Sequence, residues 1–599
     1  MEPGRLEGSP VSARFLVDLS RAILASEANR RPTIFKWWGR RPRILVRGFL
    51  ALLAGVDEET AIEAARGSPE AVGVVRKRAL GTKLIDPFSG SGLIPLEAAR
   101  LGYEAVGQDV NPYAVAISRA LSDLCTGGCM AKTACLKRAL EQAWPAIRGL
   151  WCNGVECIIH ALLARCPPCT APRWVSSKRR GSRPVKALVI GDDGGLYWTN
   201  PSDLSPDDPV ISLPPSLPRE AEDYIVYAIE VLGPGKRRRW ISLIGSSTEA
   251  LRWRRYLEET SKIAERISNS IGGVRIPLME ETRRLYRRNR MTTDRLYTWR
   301  QNATYRYFLN RASTCTREAE LLVATASLST SLLALYYQPM AKVNPGMVVK
   351  SYWVPRNPVE LNPFSHDRMP YPPGGDPRPV GRGTFISLLN SYTSSCGAGD
   401  ECSEPPSFFE GDSRVRQPGH GYHIVATDPP YPGLHTYRDM SLFYAHARHL
   451  AGEEASLDWS EIDTRDHESY RRGVVGSLRI SLSQSSDNAV LLLFISSPSV
   501  EGLSLIADIL SEIEDAGAGI ISVLPVVGEA RGVFGRAMSK LVYVVLARKG
   551  SKTSGEALEP LKWTWRIVRS TGLSEREAEY GTRLSRIFQE LLSVKLRIS

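Results

Sequence analysis

Two stretches of the chain alternate short apolar runs with longer amphipathic ones. The first begins at Lys83–Asp86 (KLID), whose apolar pair predicts a short buried strand. A glycine turn follows, Pro87-Phe88-Ser89-Gly90-Ser91-Gly92. Leu93 to Leu101 then predicts an amphipathic helix, with Leu93, Leu96 and Ala99 on one side. Glu104–Asp109 predicts a second strand, and Asn111-Pro112 opens another helix. This strand–turn–helix–strand order is the start of a parallel sheet with helices on its faces. The second stretch begins at Tyr422–Asp428, a strand, and continues with helical patterns over Met440–Leu450 and Arg465–Gln484. Ala489–Ile495 reads as a fully buried strand and Val500–Ala516 as a helix. Ile520–Val526 and Leu541–Ala547 are two more strands, close enough to form a hairpin, and Ser574–Leu596 is an amphipathic helical tail.

Between these stretches the alternation stops. The intervening segment mixes cysteine clusters, Pro/Asp-rich loops, basic helical runs and a Pro-rich region from Pro355 to Pro379. Ser394–Gly421 is rich in Gly, Ser and Pro and reads as linker and loop. Five regions follow: a helical N-terminal extension (1–82), the first half of an α/β core (83–124), a large mixed insertion (125–403), the second half of the core (404–549) and a helical C-terminal tail (550–599). Insertions of this kind sit at the loops where α/β proteins carry function.

Composition narrows the picture. The 599 residues are 43% hydrophobic and 24% charged, which excludes wholesale disorder and a collagen-like repeat. No apolar run reaches the roughly 18–20 residues of a membrane helix. The first residues, MEPGRLEGSPVSARF, lack a basic region followed by an apolar one, so a cytoplasmic location is the expectation, with reduced thiols. The net charge is +13, mostly from arginine, which fits codon bias and equally fits guanidinium forks that bind phosphates and base edges.

Two motifs carry chemistry. In Asp86-Pro-Phe-Ser-Gly-Ser-Gly92 the glycines let a ligand approach the backbone, and Asp109 ends the next strand, where an acid reaches ribose hydroxyls. The third glycine of a dinucleotide fingerprint is missing, since Leu93-Ile94-Pro95 follow Gly92. That favours a nucleoside cofactor without a pyrophosphate. In Asp428-Pro429-Pro430-Tyr431, two prolines remove backbone donors and leave a carboxylate, carbonyls and an aromatic ring. Such a set accepts hydrogen bonds from an amino group and stacks on a flat base.

With both motifs in this order, the chain resembles the S-adenosylmethionine-dependent amino-methyltransferases that modify adenine N6 or cytosine N4. More narrowly, it is similar to the archaeal and bacterial adenine-specific DNA methylases described as containing a zinc ribbon. The resemblance rests on DPFSGSGLIPLEAARLGYEAVGQDVNP (86–112), TDPPYPGLHTYRDMSLFY (427–444), KWWGRRP (36–42) and CPPCTAPRWVSSK (166–178). It implies a Rossmann-like class I methyltransferase sheet and S-adenosylmethionine as cofactor. It implies that Asp86, with Pro87, Phe88, Ser89, Gly90, Ser91 and Gly92, frames the methionine part. Asp109 and Asn111 would lie at the ribose, Asp412 at the adenine ring, and Trp37, Trp38 and Arg40 would close over the cofactor. Asp428 and the carbonyl of Pro429 would hold the target amine, with Pro430 stiffening the turn and Tyr431 stacking on the base. One departure stands: with Asp412 so placed, the insertion comes one strand earlier than usual.

The insertion adds two further candidates. Cys152, Cys157, Cys166 and Cys169 offer four thiolates, and Cys166-Pro-Pro-Cys169 has the form of half a zinc knuckle. The spacing fits a structural zinc or simple buried thiols. Residues 251–300 hold 13 Lys and Arg against 6 Asp and Glu, in runs such as Arg252-Trp253-Arg254-Arg255-Tyr256 and Arg283-Arg284-Leu285-Tyr286-Arg287-Arg288. These predict either a solvated face or phosphate contact. DNA is the expected partner. The alternatives are an RNA guanine-N2 methyltransferase and a nucleic-acid-binding protein with an inactive core.

Overall fold

The computed structural model describes residues 11–28, 34–37, 41–180, 183–201, 210–233, 237–279, 282–333, 335–336, 344–345, 352, 354–355, 357–364, 385–396, 402, 404–432, 437–497, 499–528, 541–553, 559–571 and 575–596. Trp38 and Arg40 lie outside these. The chain divides into two compact units. One comprises Met1–Cys129, Gly397–Tyr437 and Trp459–Ser599; the other comprises Met130–Cys396 and Arg438–Asp458.

The first unit is α/β. Its sheet has seven strands: β1 (Lys83–Asp86), β2 (Glu104–Asp109), β3 (Ser407–Glu410), β4 (Tyr422–Thr427), β5 (Ser485–Ile495), β6 (Ala518–Val527) and β7 (Leu541–Lys549). They lie in the order β3-β2-β1-β4-β5-β7-β6. Neighbours are parallel except that β7 runs antiparallel to both β5 and β6.

Side-chain alternation along the strands feeds two cores, because successive residues of a strand face opposite sides. Leu84, Ile424, Ala426, Leu492 and Phe494 join the N-terminal helices Ala13–Ala28, Arg43–Leu53, Glu58–Arg66 and Pro69–Ala79 on one face. Ile85, Val425, Leu491 and Leu493 join helices His467–Ser483, Val500–Asp515 and Glu575–Lys595 on the other. A sheet covered on both faces needs near-continuous apolar strands, which is what β5 and β7 show.

One expectation is overturned in this unit: β3 lies inside the segment read as linker and loop. Its only strand-like signal is Phe408-Phe409, and only Phe408 is buried. Phe408 packs where Gly92 and Gly107 leave room; a Cβ on either glycine would come within 2.9 and 2.7 Å of its ring. The pairing of Ser407–Glu410 with Val106–Asp109 makes the strand, which no local pattern could announce.

The N-terminal helices are tied to the sheet by a buried charge. Glu97, on helix Leu93–Arg100, is fully buried and pairs with Arg43 at 2.6 Å, with Arg100 at 2.6 Å and with Arg47. Burial opposes its ionisation, but the three guanidiniums outweigh it and hold the carboxyl well below the usual range.

The second unit is built on a six-stranded sheet. Strands Glu156–Arg165 and Tyr224–Leu232 pair antiparallel at its centre. Helices Thr248–Ile271, Trp299–Leu309 and Thr316–Thr330 belong to the same unit. The segment Arg438–Asp458, placed by its sequence in the second half of the core, groups here instead. Buried His446 explains this: its ring bonds Thr293 and Asn302, each at 2.9 Å, and stacks on Tyr297.

The cysteines correct two expectations. All ten are disulfide-bonded, so the thiols are not reduced in this structure. The four candidate zinc ligands form two separate pairs rather than one tetrad. Cys152 and Cys157 face each other across a hairpin with Cα atoms 3.9 Å apart, and the Pro-Pro turn brings Cys166 and Cys169 to 4.0 Å. Among the described residues no group of three or more His, Cys, Asp or Glu could hold a metal. Cys125 is bonded to Cys402, and the Cys402 amide also donates to the Cys125 carbonyl at 3.1 Å. No helix among the described residues is long and apolar enough to cross a membrane.

Replacing Glu97 by Gln leaves three guanidiniums around a neutral group. Urea denaturation at neutral pH is expected to show a loss of about 3 kcal/mol, the cost of breaking a buried ion pair. The difference should shrink as pH falls below about 4.5, where the wild-type carboxylate of the unfolded chain takes up its proton. A wild-type value for the variant would remove this contact from the fold's support.

Candidate functional site

The strand connections run in opposite directions from β1 and β4, so a crevice opens beyond their carboxyl ends. Both sequence motifs sit there. The glycine turn leaves β1 and Asp428-Pro-Pro-Tyr431 leaves β4, and Leu84 and Ile85 pair with Ile424 and Val425. The Thr427 hydroxyl donates to Asp86 Oδ1 at 2.5 Å across the two strand ends. A cavity of about 950 Å³, open mouth included, lies over this junction. Its walls include Trp37, Arg41, the turn from Asp86 to Ser91, Asp109, Asn111, Asp412, Arg414, the residues from Asp428 to Tyr431, and Tyr437.

The turn is held by its own hydrogen bonds. Phe88 N donates to Asp86 Oδ1, Ser89 N to the Gln108 carbonyl, Gly90 N to Asp109 Oδ2 and Gly92 N to the Ser89 carbonyl. Asp109 Oδ1 accepts from Asn111 N at 2.9 Å. Asp109 therefore fastens the glycine turn to β2 and still faces the cavity. Four amides that could have cradled a phosphate are occupied, which agrees with the absence of a third glycine. Gly90 adopts φ 51°, and a Cβ there would meet the Trp37 indole nitrogen at 2.8 Å. Trp37 is buried and stacks on Tyr437, with ring centroids 5.3 Å apart. It forms one wall of the cavity.

Sequence reading missed three contributors. Arg41, one residue beyond the arginine singled out in the KWWGRRP segment, is buried to 1% exposure. It donates to Asp428 Oδ1 at 2.9 Å and to Ser496 Oγ at 3.2 Å, and lies 4.7 Å from the centroid of the Tyr431 ring. Tyr431 completes the cluster by donating to Asp428 Oδ2 at 3.2 Å. A run of two consecutive arginines gives no local sign of which one points inward. Arg414 is the second. Its fork holds both oxygens of Asp412, at 2.8 and 2.6 Å, and keeps that carboxyl below its ordinary range against the effect of burial. Asp412 reaches the cavity as expected, but as half of an ion pair. Tyr437 is the third, and its only sequence sign is its place in the second motif. Of the two proline carbonyls, that of Pro430 already accepts from Tyr470 at 2.7 Å.

Carboxyl groups outnumber guanidiniums along the cavity. Asp86, Asp109, Asp412 and Asp428 line it. Burial pushes Asp86 up to about 8, with repulsion from Asp428 and Asp109 adding to it. Burial likewise pushes Asp109 up to about 6, against hydrogen bonds from Asn111 and Gly90. Ser89 Oγ is buried at the same wall without a hydrogen-bond partner. These groups suit a ligand that brings positive charge and donors.

No protein-family model, curated protein or solved structure matches the chain.

Outside the cavity, the run at Arg252 to Tyr256 is engaged by the fold except at Arg255, which is exposed. Trp253 is fully buried, Arg252 pairs with Glu156 at 2.6 Å, and Arg254 binds the carbonyls of Leu243, Ile244 and Gly245.

Folded Asp86 holds its proton to a higher pH than the unfolded chain does. That contribution to stability is complete below about 3.8 and is lost as pH rises through about 8. Asp86→Asn keeps the acceptor for Thr427 and Phe88 without the charge. Its melting temperature relative to wild type should therefore rise between pH 5 and pH 8.5, read by scanning calorimetry. A constant difference across that range would place the Asp86 carboxyl in an ordinary, solvated setting.

Proposed function

We propose that the protein transfers a methyl group from S-adenosylmethionine to an exocyclic amino group of a DNA base, adenine N6 before cytosine N4. The observation that carries this reading is the meeting, at one cavity, of a glycine turn and an Asp-Pro-Pro-Tyr turn whose strand ends, Asp86 and Thr427, are 341 positions apart. The order β3-β2-β1-β4-β5, with its switch point beneath that cavity, supports a Rossmann-like methyltransferase core.

The residues present fit the cofactor. S-adenosylmethionine supplies a methyl group on a sulfonium, an electrophile with a good leaving group, and carries a second positive charge on its amino group. Asp86 and Ser89 Oγ would receive the methionine end, Gly90 gives the close approach, and Asp109 retains lone pairs for ribose hydroxyls. Trp37 walls the site. The occupied amides of the turn suit a cofactor without phosphate.

Asp428 and the Pro429 carbonyl are the acceptors for a target amine. The nitrogen lone pair of such an amine is delocalised into its ring. Holding its hydrogens in acceptors directs that lone pair out of the ring plane and towards the methyl group. Arg41 and Tyr431 each bond one Asp428 oxygen, which fixes the plane of the carboxylate before the base arrives. The remaining lone pairs of Asp428 stay available, since a carboxylate offers about four. The Tyr431 ring is the stacking surface for a base taken out of the helix. Positioning of this kind carries most of the rate, because the leaving group needs no activation.

The test is incubation of the protein with methyl-labelled S-adenosylmethionine and DNA, followed by digestion to nucleosides. Label in methyladenosine or methylcytidine of the DNA is the expected result. Label confined to guanosine of added tRNA, or to protein, would overturn it. Asp428→Ala should lower transfer by at least about 10²-fold. Its affinity for S-adenosylmethionine, read by calorimetry, should stay near wild type. Equal loss of both would make Asp428 a structural residue.

A further inference from the structure

Five arginines lie between Thr282 and Met291, and the fold treats them in two ways. Arg290 points inward. It is 3% exposed, pairs with Asp223 at 3.4 Å, and sits 5.0 Å from the centroid of the Tyr224 ring. Arg283, Arg284, Arg287 and Arg288 are all exposed. Among the described residues none of the four has a carboxylate partner, whereas Arg239, Arg252, Arg295 and Arg300 of the same unit all do. Glu280 and Glu281 lie outside the described residues.

The turn that carries the four is fastened from several sides. Leu285 and Thr282 are fully buried. Thr282 Oγ1 donates to the Pro277 carbonyl at 2.6 Å and accepts from Met279 N at 2.7 Å. The Tyr286 hydroxyl donates to the Ile276 carbonyl, and Ile276 N donates to the Met291 carbonyl at 2.8 Å. Arg283 begins a single helical turn and Arg287 caps it in helical geometry. Arg283 and Arg287 therefore form an i, i+4 pair, and Arg288 follows in the turn closed by its amide on the Leu285 carbonyl. Like charges so placed repel by a few tenths of a kcal/mol per pair, so the arrangement gains nothing for the fold itself. Ordering a scaffold beneath unpaired guanidiniums fits a polyanion with regularly spaced charges.

We infer that Arg283, Arg284, Arg287 and Arg288 form a contact surface for the phosphate backbone of duplex DNA. This rests on the reading of the cavity as a site for a DNA base. It also separates the two basic runs of the insertion: the run at Arg252 supports the fold and the run at Arg283 meets the partner. The contact reads no sequence, since phosphates position a duplex and base edges specify it.

The experiment is fluorescence anisotropy of a labelled 20-base-pair duplex with the full chain, between 50 and 200 mM salt. Each lost phosphate contact should reduce the log–log slope by about 0.9. The quadruple variant R283Q/R284Q/R287Q/R288Q should therefore show a slope shallower by about 2 to 3.5. R252Q should keep the wild-type slope, because Arg252 is engaged by Glu156. An unchanged slope in the quadruple variant, with a wild-type melting temperature, overturns the proposal. So does a wild-type protein that binds tRNA or anionic lipid vesicles through these arginines but not the duplex. Calorimetry with S-adenosylmethionine separates this failure from that of the transferase reading. Cofactor binding with an unchanged slope sinks the surface alone. A flattened slope in a protein that never binds the cofactor sinks the transferase and leaves the surface standing.

Discussion

The parallel pairing of β1 with β4 is the constraint on which the rest of the first unit depends. Four residues from one part of the chain and six from another, with 335 residues between the strands, place two otherwise unrelated turns side by side. The bond from Thr427 to Asp86 locks the two strand ends in register. Everything chemical about the cavity follows from that register. A slip of one residue would turn Ile85 and Val425 to the wrong face and carry Asp86 and Asp428 away from each other.

The same junction explains the unusual charge at the site. Carboxylates end four neighbouring strands or their turns, in a place where burial disfavours charge. The chain tolerates this at Asp86 and Asp109, where burial raises both groups. It compensates at Asp412 and Asp428, each of which meets an arginine. Asp412 and Asp428 are held in fixed planes by those contacts. Glu97 shows the contrast within the same unit: a buried carboxylate met by three guanidiniums carries no unmet demand and serves only the packing of helices.

The insertion follows a different rule. Its sheet is antiparallel, and the unit holds a fully buried Arg300 between Glu220 and Glu360, with Ser261 bonding Glu220 and Thr298 bonding Glu360, whose Oε2 is left without a hydrogen-bond partner. Such a network is rigid only when every member is satisfied. Six of the twelve arginines between residues 251 and 300, Arg252, Arg254, Arg266, Arg290, Arg295 and Arg300, are drawn into ion pairs or carbonyl contacts. The four around Leu285 are left to the surface, which makes their exposure a property of the fold rather than of composition.

Sequence alone determined the elements with strong local patterns. The strands β1, β2, β4, β5, β6 and β7 and the helices between them were legible because buried strands are nearly all apolar and helices repeat near every fourth residue. The two motifs were legible because glycine and proline turns have few other uses after a strand. What only the tertiary structure decided were matters of partnership. β3 exists because β2 accepts it and because Gly92 and Gly107 leave room for Phe408. Arg41 joins the site because its side chain reaches Asp428. The cysteines became pairs rather than a tetrad because a hairpin and a Pro-Pro turn bring each close to its sequence neighbour. Of two similar basic runs, one is engaged by Glu156 and backbone carbonyls. In each case the local sequence leaves the choice open, and the contact across the chain, stronger than any local preference, makes it.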